Sequence, residues 1–188
     1  MKLKSKFNIQ IAADGSSASG KTTGAKLFSK KYGIKFLSSG LLYRYSSYLI
    51  IKNKPDSERI FLEKKFKKFN LSHLKNKNLH TPEISELSSK IAKKKEIRGI
   101  LKRFQKNFVR RNRKVCIEGR DIGTVIMPNA DIKFFFTCNL NTAAKRRFKD
   151  LKKKNPKIKF AEVKKAMRIR DNLDRSRRIS PLIKPKNA

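Results

Sequence analysis

Cysteine and long apolar runs are both scarce in this chain, and each shortage excludes a class of protein. The two cysteines, Cys116 and Cys138, lie in separate apolar segments without CxxC spacing. We therefore expect two buried thiols in a reducing compartment, with neither a disulfide framework nor a zinc site. No segment reaches the ~20 apolar residues of a membrane helix. Asp14 interrupts the amino-terminal apolar run before it has the length of a signal peptide. These features predict a cytoplasmic protein without a membrane segment.

Acidic residues are also few. Fourteen Asp and Glu stand against fifty Lys and Arg, which gives a formal net charge of +36 over 188 residues. Such a charge attracts polyanions, so weak non-specific RNA binding is expected. The lysines are spread over the whole chain, however, and do not form a basic stripe with interleaved aromatics. This distribution favours the compositional drift of an AT-rich coding sequence over a dedicated nucleic-acid surface.

The most specific motif lies in residues 9–23, IQIAADGSSASGKTT. It fits G-x-x-x-x-G-K-[ST], the P-loop, whose backbone N–H groups hold nucleotide phosphates. A short apolar run precedes it and an amphipathic pattern follows it, which is the strand–loop–helix context that the motif requires. Lys21 can reach the outer phosphates, and the Thr22 hydroxyl can ligate Mg²⁺. The predicted ATP-binding residues of this loop are Gly15, Ser16, Ser17, Ala18, Ser19, Gly20, Lys21, Thr22 and Thr23.

Strand and helix patterns alternate along the chain, which predicts an α/β doubly wound architecture with a parallel sheet. Short apolar runs predict strands that end near residues 13, 37, 117 and 137, with the sheet covered on both faces. Helical patterns follow over residues 41–52, 57–69, 142–153 and 160–178. A further helix is predicted to begin at Thr81-Pro82 and to run as far as Phe108, with a bend near Gly99. Residues 70–80 have weak periodicity and are predicted to form a loop.

Arginines are placed at several predicted element ends. Arg120 follows the strand over residues 115–117, where ligands bind in open parallel sheets. Arg170, Asp174 and Arg177 are spaced i, i+4, i+7, so one helical face would carry two arginines with an aspartate between them. Phosphoryl transfer between two nucleotides needs such fixed positive charge. An ordinary solvated basic face is the alternative for this cluster taken alone.

Four segments in order resemble the bacterial cytidylate kinases, which pass a phosphoryl group from ATP to CMP or dCMP: DGSSASGKTT, SSGLLYR, IEGRDIGTVIMPNADIK and RIRDNLDRSRRISPL. The similarity runs from about residue 8 to residue 182. The resemblance implies a three-layer P-loop fold over residues 1–188 as a single kinase domain. Its core would comprise about residues 1–37 and 112–140, its helical acceptor-binding region about 38–111 and its helical lid about 141–180.

The resemblance also implies roles at matching positions. Catalysis falls to Lys21, Arg120, Arg170 and Arg177, and Arg146 joins the ATP-binding residues. The CMP-binding set is Ser39, Arg44, Ser89, Arg98, Arg120, Asp121 and Asp174. Within it, Ser89 and Arg98 match the cytosine-reading positions, because cytosine offers an amino donor to a serine and two acceptors to an arginine. Glu118 ends a strand expected beside the first one and is a candidate, with Thr22, for holding Mg²⁺.

The sequence departs from the family pattern in two places. The segment between Phe69 and Thr81 is short where the family usually inserts a small β-containing subdomain, and we expect the family's usual strand and helix after Pro181-Leu182 to be absent. Two other functions therefore stay open at this point. One is an RNA-binding or decayed P-loop protein that uses the +36 charge, and the other is a different small-molecule P-loop kinase. We expect a monomer with ATP and CMP or dCMP as its substrates.

Overall fold

The structure, a computed structural model, describes residues 7–153 and 155–188, with only the backbone described at Lys77. Within these residues it contains four strands: β1 (Ile9–Gly15), β2 (Lys35–Ser38), β3 (Lys114–Gly119) and β4 (Ile132–Phe136). The same residues form seven α-helices: α1 (Lys21–Tyr32), α2 (Ser39–Asn53), α3 (Glu58–Lys67), α4 (Pro82–Ile91), α5 (Lys95–Arg111), α6 (Leu140–Lys152) and α7 (Phe160–Ser176). No helix in this described part is both long and apolar enough to cross a membrane.

The chain divides into two compact units. The first consists of the described residues up to Leu37 together with Arg113–Ala188, and the second is Ser38–Asn112. Apart from Ser38, the last residue of β2, the sheet belongs to the first unit together with α1, α6 and α7, and α2 to α5 belong to the second. The three-part division into core, acceptor-binding region and lid stays a prediction.

The sheet has the strand order β2-β3-β1-β4. β1 runs parallel to both of its neighbours, and its Ala13 stands opposite Glu118 of β3 and Phe134 of β4. The α/β class and the parallel sheet predicted from the alternating pattern are confirmed, as is the expectation that Glu118 ends a strand beside the first one. This pairing places the carboxyl ends of β1 and β3 side by side.

β1 lies inside the sheet, and the burial of its residues agrees with this position. Ile11, Ala12 and Ala13 are at most 1% exposed, as expected of a strand covered on both faces. The prediction that the strands are covered on both faces was wrong for β4, whose five residues are all partly exposed. β4 is an edge of the sheet formed by the described residues. The expectation of two buried thiols also holds only in part. Cys116 is buried and burial raises its pKa to about 11, whereas Cys138 is partly exposed.

The second unit is helical, and its two predicted irregularities differ from the structure. Residues 70–80 form two 3₁₀ helices, Leu71–Lys75 and Lys77–His80, instead of a loop. Asn70 and Asn76 accept hydrogen bonds at their starts, and Leu79 is fully buried. These local caps and one buried leucine order a segment that has no helical periodicity.

The helix predicted from Thr81 to Phe108 is two helices. Thr81 caps α4 by accepting from the Ile84 amide, as predicted. The break falls between Ile91 and Lys95, however, and Gly99 lies inside α5. The freed carbonyl of Ala92 at this break accepts a 3.1 Å hydrogen bond from Arg98 Nη1. The predicted bend at Gly99 is therefore wrong. The chain breaks instead where the unpaired carbonyl groups at the end of a helix find other hydrogen-bond donors.

α6 and α7 pack against each other through Ala143, Ala144, Val163 and Met167. α7 ends at Ser176, and the backbone of Arg177 is extended (φ −62°, ψ 136°). The prediction that Arg177 shares a helical face with Arg170 and Asp174 is therefore wrong.

Candidate nucleotide-binding site

Two glycines allow the tight turn of the loop between β1 and α1. A Cβ on Gly15 would stand 2.3 Å from the carbonyl oxygen of Phe136, so only glycine fits beside β4. Gly20 has φ 93°, a left-handed conformation that favours glycine. α1 begins at Lys21, and its unpaired N–H groups and positive dipole end lie at the loop. The local geometry is that of an anion cradle.

Lys21 is held inside this loop. Its Nζ donates a 2.9 Å hydrogen bond to the carbonyl of Ser16, and the residue is only 7% exposed. Burial, with the nearby positive charge of Arg120 acting in the same direction, lowers the pKa of Lys21 to about 7. A bound phosphate would restore the charged form, because an opposite charge at close range favours it.

Arg120 connects three segments of the first unit. Its Nε donates to Asp174 Oδ2 at 2.8 Å, and its Nη2 donates to the Ser17 hydroxyl at 3.2 Å. Burial alone would raise the pKa of Asp174, but the positive charge of Arg120 and further arginines holds it below its usual value. One guanidinium thus contacts the P-loop and α7 together.

Two more arginines complete a cluster of positive charge. Arg177 lies 3.6 Å from Asp174 Oδ1 through Nη1 and 4.0 Å from Asp121 Oδ1 through Nη2. The buried Nε of Arg170 has no hydrogen-bond partner among the described residues. Burial lowers the pKa of Arg170, and Arg120 adds to this effect by repulsion. A buried, unsatisfied guanidinium donor beside a P-loop calls for an anion.

Two aspartates in this site were not predicted. Asp171 Oδ1 accepts from the Ser17 amide at 3.0 Å. One backbone N–H group of the P-loop is therefore already hydrogen-bonded to a carboxylate of α7. Asp14 accepts from the amides of Ile122 and Gly123 at 2.8 and 2.7 Å. The position of Asp14 directly before the first P-loop glycine was a visible signal, since polar residues at the carboxyl end of a buried strand often serve a site.

The predicted metal ligands are suited to Mg²⁺. Thr22 lies in the first turn of α1 and is partly exposed, whereas Glu118 at the end of β3 is 3% exposed. No cluster of three acidic, histidine or cysteine side chains that could hold a metal occurs among the described residues. Mg²⁺ usually keeps several waters and takes one or two protein oxygens together with substrate phosphates. One hydroxyl and one carboxylate match that donor set.

Arg146 of α6 lies beside the loop. Its Nη1 is 3.8 Å from the place where a Cβ on Gly20 would stand and 3.9 Å from Cys138 Sγ. Its guanidinium is therefore close to the start of α1, where the predicted ATP contact requires it.

The remaining predicted residues belong to the second unit. Arg44 donates from Nη1 to the Leu79 carbonyl at 3.0 Å and to the Ser85 hydroxyl at 2.7 Å. Ser89 donates to the Ser85 carbonyl at 3.2 Å. Ser85 thus connects a predicted phosphate ligand with a predicted base ligand, and sequence reasoning missed it because nothing marks it among the serines of α4.

The other two side chains of this set are almost fully buried. Ser39, at the start of α2, is 4% exposed, and Arg98 is 8% exposed. The guanidinium carbon of Arg98 lies 5.7 Å from the centroid of the Tyr43 ring. Stacking on this ring and the bond to the Ala92 carbonyl fix the direction of the guanidinium.

Residues 11–188 match the sequence model of the cytidylate kinase family. The chain belongs to the cytidylate kinase family. The resemblance inferred from the P-loop, the GRD segment and the RDNLDR segment is thereby confirmed, as is the expectation of a kinase.

Curated relatives with the name cytidylate kinase cover nearly the whole chain. The protein of Thermosipho melanesiensis is 36% identical over 95% of this chain and 86% of its own length. That of Fervidobacterium nodosum is 36% identical over 97% of this chain and 87% of its own. That of Rickettsia rickettsii is 36% identical over 96% and 82%, respectively.

Proposed function

We propose that this member of the cytidylate kinase family transfers the γ-phosphoryl group of ATP to CMP, and to dCMP, giving CDP or dCDP and ADP. The observation that carries the proposal is the position of Arg120, whose guanidinium contacts P-loop Ser17 and α7 Asp174 at once. A donor nucleotide on the loop and an acceptor phosphate on this arginine would then meet at one place. Family membership supports the same reaction.

The chemistry needs position and charge more than proton transfer. A phosphate oxygen of CMP attacks the γ-phosphorus of ATP, and the bond from that phosphorus to the β–γ bridging oxygen breaks, leaving ADP. Lys21, Arg120, Arg170 and Arg177 would stabilise the negative charge on the transferred group. The unsatisfied Nε of Arg170 is a donor that this charge can engage. No general base is assigned, because the acceptor phosphate is already anionic.

Mg²⁺ is part of the proposal. Thr22 and Glu118 would hold it, directly or through water, and when bound it would neutralise charge on the β- and γ-phosphates. Arg146 would contact ATP on the outer side of the loop, and the amides of residues 15–23 would hold its phosphates.

For the acceptor, we propose that Ser39, Arg44 and Arg120 bind the phosphate of CMP. Ser89, Arg98 and Asp121 would read cytosine, since its amino group needs an acceptor and its O2 and N3 need a donor. Asp174 would accept from a sugar hydroxyl. The fixed guanidinium of Arg98, stacked on Tyr43, supports this assignment because a buried donor with a set direction discriminates between bases.

A mass-spectrometric or coupled assay with ATP and CMP tests the reaction. CDP and ADP should form in equal amounts, and Lys21→Ala should abolish their formation. Lys26→Ala is the matched control on the same helix, since Lys26 is exposed and lies over the Phe36 ring. Turnover that survives loss of Lys21, or no turnover in the unmodified protein, would reject the proposal.

We further propose weak non-specific RNA binding, a cytoplasmic location and action as a monomer. The charge of +36 supports the first, and the origin of every proposed ligand in one chain supports the last. RNA affinity should fall steeply with salt and survive Lys21→Ala, while turnover is lost. The rival function is that of an RNA-binding protein without kinase activity. It requires the same salt-dependent RNA binding, but no CDP formation by the unmodified protein.

A further inference from the structure

Asp14 is a buried carboxylate that the proposed chemistry does not use. It is the residue before Gly15 at the end of β1 and is 0% exposed. Oδ1 accepts from the Ile122 amide at 2.8 Å, and Oδ2 accepts from the Gly123 amide at 2.7 Å. Both amides open the helical turn Ile122–Ile126, which follows Arg120 and Asp121 directly.

The turn needs this external acceptor. The first amides of any helical turn have no partner within it. Later amides of this turn are satisfied internally, since those of Val125 and Ile126 donate to the Asp121 carbonyl. Asp14 therefore supplies two acceptors at once, although its partners lie 108 and 109 residues away.

Gly123 lies in ordinary van der Waals contact with Asp14 and leaves no room for a side chain beside Pro185. A Cβ added to Gly123 would stand 3.4 Å from Asp14 Oδ2 and 2.8 Å from Pro185 Cγ. Burial raises the pKa of Asp14 to about 6, against the effect of its two amide donors. An ionised carboxylate is costly in such a place unless donors satisfy it, and the Ile122 and Gly123 amides do so here.

We propose that Asp14 is a positioning residue that fixes Arg120 and Asp121 relative to the P-loop. It ties the turn after these two residues to the strand that leads into the loop, so donor and acceptor phosphates keep a set separation. The inference rests on the proposed function, because it takes Arg120 and Asp121 as acceptor ligands. A displacement of such a group by about 1 Å can cost ~10²-fold in rate.

Asp14→Asn tests this with little change of volume. A carboxamide offers one acceptor and turns an amino group toward the second amide. We expect kcat/KM for CMP to fall roughly 10- to 100-fold, while the KM for ATP stays within about twofold, since the P-loop itself is retained. Hydrogen exchange at the Ile122 and Gly123 amides should become faster.

Asp131→Asn is the matched control. Asp131 Oδ2 accepts from the Gln10 amide at 2.7 Å, so it makes the same type of bond to the same strand at the opposite end. This variant should match the unmodified protein in both kinetic constants. If Asp14→Asn does not fold, Asp14→Glu keeps both carboxylate acceptors but displaces the turn by the length of one methylene, and it should give the same kinetic pattern.

Three results would overturn the inference. One is an unchanged kcat/KM for CMP in a folded Asp14→Asn variant. Another is a proportional loss for ATP and CMP that follows the folded fraction in thermal melts, which would indicate a purely structural role. The third, no turnover in the unmodified protein, is distinct because it rejects the proposed function itself and the inference with it.

Discussion

The side chains of Arg120 and Asp174 are 54 residues apart in sequence and are joined by a 2.8 Å hydrogen bond from Nε to Oδ2. Both side chains are largely buried, with exposures of 15% and 17%. The same guanidinium reaches Ser17 of the P-loop. The planar fork of a guanidinium holds both partners in a fixed geometry, which the ammonium group of a lysine does not reproduce.

We predict that Arg120→Lys lowers kcat/KM for CMP roughly 10²- to 10³-fold, the cost of removing one transition-state donor. Asp174→Asn should lower it as well, and the double variant should lose less than the product of the two effects, because the residues act as a pair. A double-mutant cycle on steady-state rates measures this coupling. Independent, multiplying effects would contradict it.

Nucleotide binding should take up a proton through Lys21. With a pKa of about 7, close to nine-tenths of this group is neutral at pH 8. Contact with phosphate raises the pKa again, so ADP–Mg²⁺ binding at pH 8 should consume most of one proton, and binding at pH 6 far less. Calorimetry in buffers of different ionisation enthalpy gives the proton count. Equal counts at both pH values would show that Lys21 stays charged in the free protein.

Ser85 should orient Arg44 toward the acceptor phosphate. Its hydroxyl accepts from Arg44 Nη1 at 2.7 Å and donates to the Thr81 carbonyl at 2.8 Å. A hydrogen bond to a charged group contributes ~1.5–3 kcal/mol, so Ser85→Ala should raise the KM for CMP by about tenfold and leave the KM for ATP unchanged. Ser88→Ala is the control, since Ser88 donates only to the Ser85 carbonyl at 2.8 Å. An equal rise of the KM for CMP in Ser85→Ala and Ser88→Ala would indicate a general disturbance of α4 instead.

Arg98 should carry base recognition. Arg98→Ala is expected to lower kcat/KM for CMP roughly 10- to 100-fold, in line with the loss of a charged hydrogen bond. The low rate with UMP should hardly change, so the selectivity for CMP shrinks. Arg103→Ala is the control on the same helix, because Arg103 makes a surface ion pair with Glu63 at 70% side-chain exposure. An equal loss of kcat/KM with CMP and with UMP would show that Arg98 does not recognise the base.

The sequence was most informative where one local segment contains the whole signal. The P-loop could be predicted because its glycines, Lys21 and the flanking strand and helix lie within 24 residues of one another. The strand that ends at Glu118 was predicted for a similar reason, as a compact apolar run followed by polar residues. Family resemblance added the pairing of that strand with β1.

Other features depend on contacts between distant segments. The bonds of Asp14 to a turn more than 100 residues later have no local signature, and Ser85 looks like any other helical serine. The end of α7 was misplaced because Arg177 is drawn out of the helix, where its Nε donates to the Ser180 carbonyl at 2.6 Å. Hydrophobic periodicity registers neither the distant bonds of Asp14 nor this local bond three residues along the chain.

The most direct test of the account is a panel of nucleoside monophosphates assayed with ATP–Mg²⁺ under identical conditions. Cytosine recognition by buried polar groups predicts that CMP and dCMP are phosphorylated with a kcat/KM roughly 10²-fold or more above those of UMP, AMP and GMP. Comparable rates with CMP, UMP and AMP would contradict the assignment of Ser89, Arg98 and Asp121 to the base. Absence of turnover with every acceptor would contradict the kinase function itself.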